Sequence, residues 1–174
     1  MRYVVDSSKE VTRALFLLRF IPSAKVIHLM RHPVAILQSD YYRLKRGAGF
    51  RLLRRRYRPD QNFGPFILIS VVSWIVGNVL SDVSRVFGRS RFLRIRYETV
   101  IQDPVGQMNR IEAFLGTSLD EVRVRLQTGG AFAVGHNIGG NQMRHAGSFR
   151  FDPTKAFRRG LPRRYVIVCW LLTW

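Results

Sequence analysis

The stretch KVIHLMRHPVAILQS, residues 25–39, decides how the rest of the chain is read. Lys25–Met30 is almost wholly apolar, the pattern of a parallel strand covered on both faces. Pro33 then stands where a helix can begin, because the first helical position needs no N–H. Residues 34–45 continue that helix. A strand passing into a helix through Arg31-His32-Pro33 is a βα junction. It leaves a guanidinium at the carboxyl end of the strand, where open α/β sheets bind their ligands.

Working outward, Arg2–Ser7 reads as a short buried strand. Lys9–Phe20 has apolar residues at 11, 14, 15, 17 and 18, a helical spacing that Pro22 ends. Gly47–Gly64 reads as a loop carrying Arg51, Arg54, Arg55, Arg56 and Arg58. Pro65 opens a helix to about Phe87, with Gly88 as its C-cap. The longest apolar stretch, Phe66–Leu80, is 15 residues. That is short of the roughly 20 a membrane span needs, so a buried helix is expected. Tyr165–Trp174 is apolar over only about half a span. Arg91–Tyr97 alternates charged and apolar residues, a strand with one face less covered. Pro104–Leu115 is an amphipathic helix capped by Gly116. Gly129–Gly147 reads as loop from its Gly-Gly pairs, and a last helix follows Leu161-Pro162. The order β-α-β-α-α-β-α implies one α/β domain, a parallel β-sheet flanked by helices with right-handed crossovers.

The 174 residues are 47% hydrophobic, enough for a core and too many for a disordered chain. Lys and Arg number 29 against 11 Asp and Glu, a net charge of +18. Such a charge calls for an anionic partner: nucleic acid, a membrane surface, an acidic glycan or a phosphorylated cofactor. Only Lys9, Lys25, Lys45 and Lys155 are lysines, and arginine suits bidentate phosphate recognition. Cys169 is the single cysteine, which excludes an intrachain disulfide. No Cys/His spacing resembles a metal site. MRYVVDSSKE lacks the apolar core of a signal peptide.

Three strand ends converge on one edge of such a sheet: Asp6-Ser7-Ser8-Lys9, Arg31-His32-Pro33 with Ser39 after it, and Tyr97-Glu98. Residues 25–39 resemble the 3′-phosphate-binding segment of the sulfotransferases that use 3′-phosphoadenosine-5′-phosphosulfate (PAPS). In that family an apolar strand ends in Arg and a Ser follows eight residues later, as Arg31 and Ser39 do. IRYETVIQDPVGQMNRIEAFLG resembles the family's next landmark: a strand ending in Tyr-Glu, an Asp-Pro, and a helix closing on Phe-Leu-Gly. YVVDSSK is similar to the preceding family strand. HNIGGNQMRH is similar to the Gly-Asn-x-x-Arg loop that folds over the nucleotide, and Trp74 falls where the family's long helix carries Trp.

The resemblance implies a P-loop NTPase-like sulfotransferase fold and a reaction moving a sulfuryl group from PAPS to a hydroxyl or amine acceptor, with a carbohydrate among the candidates. It implies cofactor contacts from Arg31, Ser39, Tyr97, Gly140, Asn141 and Arg144. Lys9 would be a catalytic charge stabiliser, with an ordinary helix-start lysine as the competing reading. Ser7 and Ser8 would cap a helix or contact the acceptor side. His32 stands where most members carry Asp or Asn and adds positive charge to the phosphate site. His28 reads as a satisfied core or pocket residue. Arg51–Arg58 reads as a solvated basic loop or as a recruiter of an anionic acceptor.

One departure matters. The family's 5′-phosphosulfate loop, typically Arg-Ser-Gly-Thr between a strand and a helix, has no counterpart in residues 1–30. The expectation is therefore a partial domain over residues 1–174, incomplete at the N-terminus, that transfers no sulfate on its own and exposes apolar surface. Its expected location is cytoplasmic, or a secretory-compartment membrane if a preceding segment carries an anchor. The competing class is a basic nucleotide- or nucleic-acid-binding module without catalysis; no recognition helix, zinc finger or RNP-like strand supports it.

Overall fold

The computed structural model describes residues 4–6, 11–45, 64–133, 147–153 and 160–173. They form two compact units, Met1–Arg94 with Arg159–Trp174, and Ile95–Arg158.

The first unit contains α1 (Val11–Phe20), β1 (Val26–Met30), α2 (Pro33–Lys45), α3 (Gly64–Val86), a 3-10 turn at Arg89–Arg91, the start of β2 (Phe92–Arg96) and α7 (Arg163–Thr173). β1 and β2 pair as a small parallel sheet flanked by helices, the α/β class expected. The core is helical. Leu37 of α2, Ile67 and Val71 of α3 and Cys169 of α7 are almost fully buried, with Val34, Tyr41, Phe66, Ile75, Leu161 and Tyr165 packed around them. Each such apolar side chain contributes about 1.5–3 kcal/mol on burial. Ile67 and Val71 lie one turn apart, so α3 offers them as a single ridge. Burial pushes the Cys169 thiol pKa up, which makes it a packing residue.

Three expectations need correction. Val4–Asp6 is exposed and belongs to no strand, so the described part of Arg2–Ser7 is not the buried strand its composition suggested. β1 is covered on one face only: Ile27 and Leu29 are exposed, while Val26, His28 and Met30 alternate with them as the half-buried set. α3 is not a buried helix. It runs 23 residues, is long and apolar enough in length and composition to cross a membrane, and only 17% of its most apolar window is buried. Its inward face is Ile67, Val71, Ser81 and Ser84, while Leu68, Val72, Val76, Val79 and Val83 face outward. Apolar composition reports how much surface could be buried, not how much has a partner.

Arg91 ties the far end of this unit together. Its Nη1 donates to the carbonyl oxygens of Ile21 (2.9 Å) and Ala24 (3.5 Å), and its Nη2 to those of Leu18 (2.8 Å) and Phe87 (3.2 Å). The Leu18, Ile21 and Phe87 carbonyls lie at the C-terminal ends of α1 and α3, where helices leave acceptors unsatisfied and favour a cation, and that of Ala24 lies in the connection to β1. Gly88 allows the approach. It follows the end of α3 as expected, with φ −160°, an extended backbone. A Cβ there would come within 2.9 Å of Leu18 Cδ2, so a larger residue would push that side chain aside.

The second unit holds α4 (Tyr97–Gln102), α5 (Pro104–Leu115), α6 (Asp120–Thr128), β3 (Ala131–Ala133) and β4 (Ser148–Arg150). Asp103 caps α5 by accepting the Gly106 N–H at 2.9 Å, and Gly116 ends it with φ 73°, the left-handed cap its position implied. α6 was not foreseen. Its apolar pattern is weak, and polar contacts hold it instead. Glu112 accepts the Leu119 N–H and pairs with Arg123 at 3.0 Å, and Arg123 also pairs with Asp120. β3 and β4 form an antiparallel pair with Phe132 opposite Phe149, rings stacked at 5.5 Å. Ala131–Ala133 therefore corrects the reading of Gly129–Gly147 as loop throughout, while residues 134–146 lie outside the described residues.

Arg91→Ala should lower stability by about 2 kcal/mol in urea unfolding, as expected for losing charge-assisted bonds to carbonyls. Arg91→Lys should recover only part of it, because one ammonium cannot span four carbonyls on two helices.

Candidate functional site

Arg31 follows β1 directly and precedes α2 by one residue beyond His32, so it stands at the carboxyl end of the strand. It is half-buried, and its backbone carbonyl accepts the Trp74 indole N–H at 2.9 Å. Ser39 lies on α2, one turn beyond the buried Ala35, and is exposed. At about 1.5 Å per residue it lies about 9 Å along the axis from the start of the helix.

His32 caps the helix that follows it. Its Nδ1 accepts the Val34 N–H at 3.2 Å. The imidazole thus does the capping work that an Asp or Asn oxygen does at a helix start, and its ring packs 5.2 Å from the Trp170 ring. The N–H groups of Ala35 and Ile36 both bond the His32 carbonyl, and Pro33 has none. With the first-turn amides engaged, recognition of an anion here falls to side chains, which is what a guanidinium fork can supply.

Tyr97, in the second unit, is not the last residue of its strand. β2 ends at Arg96, and Tyr97 and Glu98 open α4, both half-buried. Thr99 Oγ1 donates to the Arg96 carbonyl at 2.7 Å, fixing that turn. Ser7, Ser8 and Lys9 lie outside the described residues, as do Gly140, Asn141, Arg144, His136, His145 and Arg51–Arg58. The structure therefore describes Arg31 and Ser39 on one βα junction and Tyr97 on a second.

Sequence reasoning missed a polar cluster behind β1. Arg94 of β2 pairs with Asp82 at 3.0 Å and donates to Asn78 Oδ1 at 3.4 Å and Met30 Sδ at 3.2 Å. Ser81 Oγ lies 3.4 Å from His28 Nε2, and the His28 ring is 6.0 Å from that of Phe92. His28 Nδ1 has no hydrogen-bond partner among the described residues, so His28 is not the satisfied core residue expected. Burial, then the Arg94 charge, push its pKa below 6.5, with Asp82 opposing. The legible signal was the placement of Asn78 and Asp82 one turn apart in an apolar helix. Among the described residues, no three His, Cys, Asp or Glu side chains gather as metal ligands would.

Residues 2–121 match the model of the family described as the sulfotransferase family, well over half of the chain. Arg31, Ser39, Trp74 and Tyr97 fall inside that span, and Gly140, Asn141 and Arg144 outside it. Comparisons with curated proteins and with solved structures return no match.

A histidine whose folded pKa is lowered binds its proton more readily when unfolded, so stability rises with pH. The contribution of His28 is full above about pH 6.5 and is lost as pH falls below it. Urea midpoints should therefore drop between pH 7.5 and pH 5.5, and His28→Leu should flatten that dependence; an unchanged slope in the variant would place its origin elsewhere.

Proposed function

Because the chain belongs to the sulfotransferase family, we propose that it serves transfer of a sulfuryl group from PAPS to a hydroxyl or amine acceptor, and that its own part is to hold the donor's 3′-phosphate. The observation that carries this reading is the Arg31 junction. A half-buried arginine, anchored through its carbonyl, stands at a strand end ahead of a helix whose first amides are already engaged.

The donor set fits a phosphate. Arg31 offers two parallel N–H donors to a dianion, Ser39 offers a hydroxyl at the flank, and the Tyr97 ring offers a face or hydroxyl to the adenine or phosphate. Gly140, Asn141 and Arg144 would close the other side, with glycine backbone approaching the anion. PAPS supplies the sulfuryl group and its phosphate leaving group when bound. The chain's residues bind and orient the nucleotide, which is most of what such a transfer asks of a protein. Lys9 is proposed to stabilise charge near the reacting group, with Ser7 and Ser8 toward the acceptor. Residues 1–30 contain no 5′-phosphosulfate loop of the family's type. The 174-residue chain is therefore proposed to bind nucleotide without turnover. The acceptor class is a hydroxyl compound, a carbohydrate among the candidates.

Titration with adenosine 3′,5′-bisphosphate tests this. Arg31→Ala should weaken binding between about tenfold and a hundredfold, the value of charge-assisted hydrogen bonds. Equal affinity of wild type and variant would remove the 3′-phosphate assignment. Tight, steeply salt-dependent DNA binding with no bisphosphate binding would favour the nucleic-acid module instead, for which the +18 charge speaks. PAPS-dependent sulfation by the purified chain would overturn the claim of binding without turnover.

A further inference from the structure

α3 is apolar along most of its length, yet its polar residues are not scattered. Ser70, Trp74, Asn78, Ser81 and Asp82 recur at intervals of three or four and so share one stripe of the helix. Four of them bond groups on β1, its neighbour β2 or the junction that follows β1, and Ser70 bonds α2. Ser70 Oγ donates to Asp40 Oδ2 of α2 at 3.4 Å. Asn78 and Asp82 hold Arg94, which in turn reaches Met30. Ser81 meets His28. Trp74 meets the Arg31 carbonyl, at the shortest of these separations.

That carbonyl is in an unusual position. β1 ends at Met30 and α2 begins at Pro33, so Arg31 belongs to neither element. The residue before a proline is confined to extended conformations, which stiffens His32. The His32 side chain is further committed to the Val34 N–H. The remaining freedom of the junction is rotation of the Arg31 peptide, and the Trp74 indole N–H holds it. Trp74 is itself braced, because Asn78 Nδ2 donates to the Trp74 carbonyl at 2.7 Å while Asn78 Oδ1 accepts from Arg94. A large two-torsion side chain on a packed helix is a stiff prop, and a half-buried carbonyl is costly to leave without a donor.

We propose that Trp74 is a positioning residue for nucleotide recognition: its indole N–H fixes the Arg31 carbonyl and thereby aims the Arg31 guanidinium at the donor's 3′-phosphate. This rests on the reading of Arg31 given above. Trp74 touches no nucleotide and acts only through Arg31.

A double-mutant cycle in the full chain tests it, with adenosine 3′,5′-bisphosphate as probe. Trp74→Phe keeps an aromatic ring and removes the N–H. It should weaken binding about fivefold in the wild-type background, the scale of one hydrogen bond. In the Arg31→Ala background it should change affinity by less than about 1.5-fold, because the group it positions is gone. Equal losses in both backgrounds would make Trp74 a general packing residue and overturn the proposal, as would no loss in either. Should Trp74→Phe fail to fold, replacing Trp74 by 3-benzothienylalanine removes the N–H at nearly constant shape, and the same pattern is required of it. If Arg31→Ala itself leaves affinity unchanged, the 3′-phosphate assignment falls and this inference with it. If Arg31→Ala weakens binding and the cycle is additive, only the inference falls.

Discussion

The first unit depends on the two-sided demand placed on α3. One helix must supply the apolar ridge Ile67 and Val71 that seats α2 and α7, and also the polar stripe that holds the small sheet. The two tasks are compatible because they share the inward face at different heights, the ridge in the first turns and Trp74, Asn78, Ser81 and Asp82 further along the axis. Packing energy comes from the ridge. Register comes from the stripe, since each polar contact demands a specific partner at hydrogen-bond distance.

The site follows from this division. A strand end in an open sheet is where hydrogen-bonded order stops, so residues beyond it are set by whatever packs against them. Here the carbonyl of Arg31 meets Trp74, His32 caps α2, and Arg91 closes the opposite end of α1 and α3. Arginine stands at both ends, Arg31 as the proposed anion ligand and Arg91 bonded to helix carbonyls. The arginine-rich composition thus divides between recognition and architecture, and net charge alone could not have distinguished them.

The βα junction at residues 25–39 was legible because its signals are local. An apolar run, a proline at a helix start and a guanidinium between them state their own geometry. α1, α2, α3, β2 and α5 were legible from periodicity and caps in the same way. α6 was not, because ion pairs of Arg123 rather than an apolar face anchor it. The β3–β4 pair was not, because two three-residue strands more than a dozen residues apart carry no local pattern.

By itself the sequence determined the α/β class, the family and the candidate phosphate ligands Arg31 and Ser39, since all of these are written in short-range order and residue type. The tertiary structure decided which apolar faces find partners, that the His32 ring caps a helix, and that Trp74 props the carbonyl of Arg31 from 43 residues away. Those are facts about pairs of residues distant in the chain. They are settled only when packing brings the pairs together, because a hydrogen bond or a buried contact has no energy until both partners are in place.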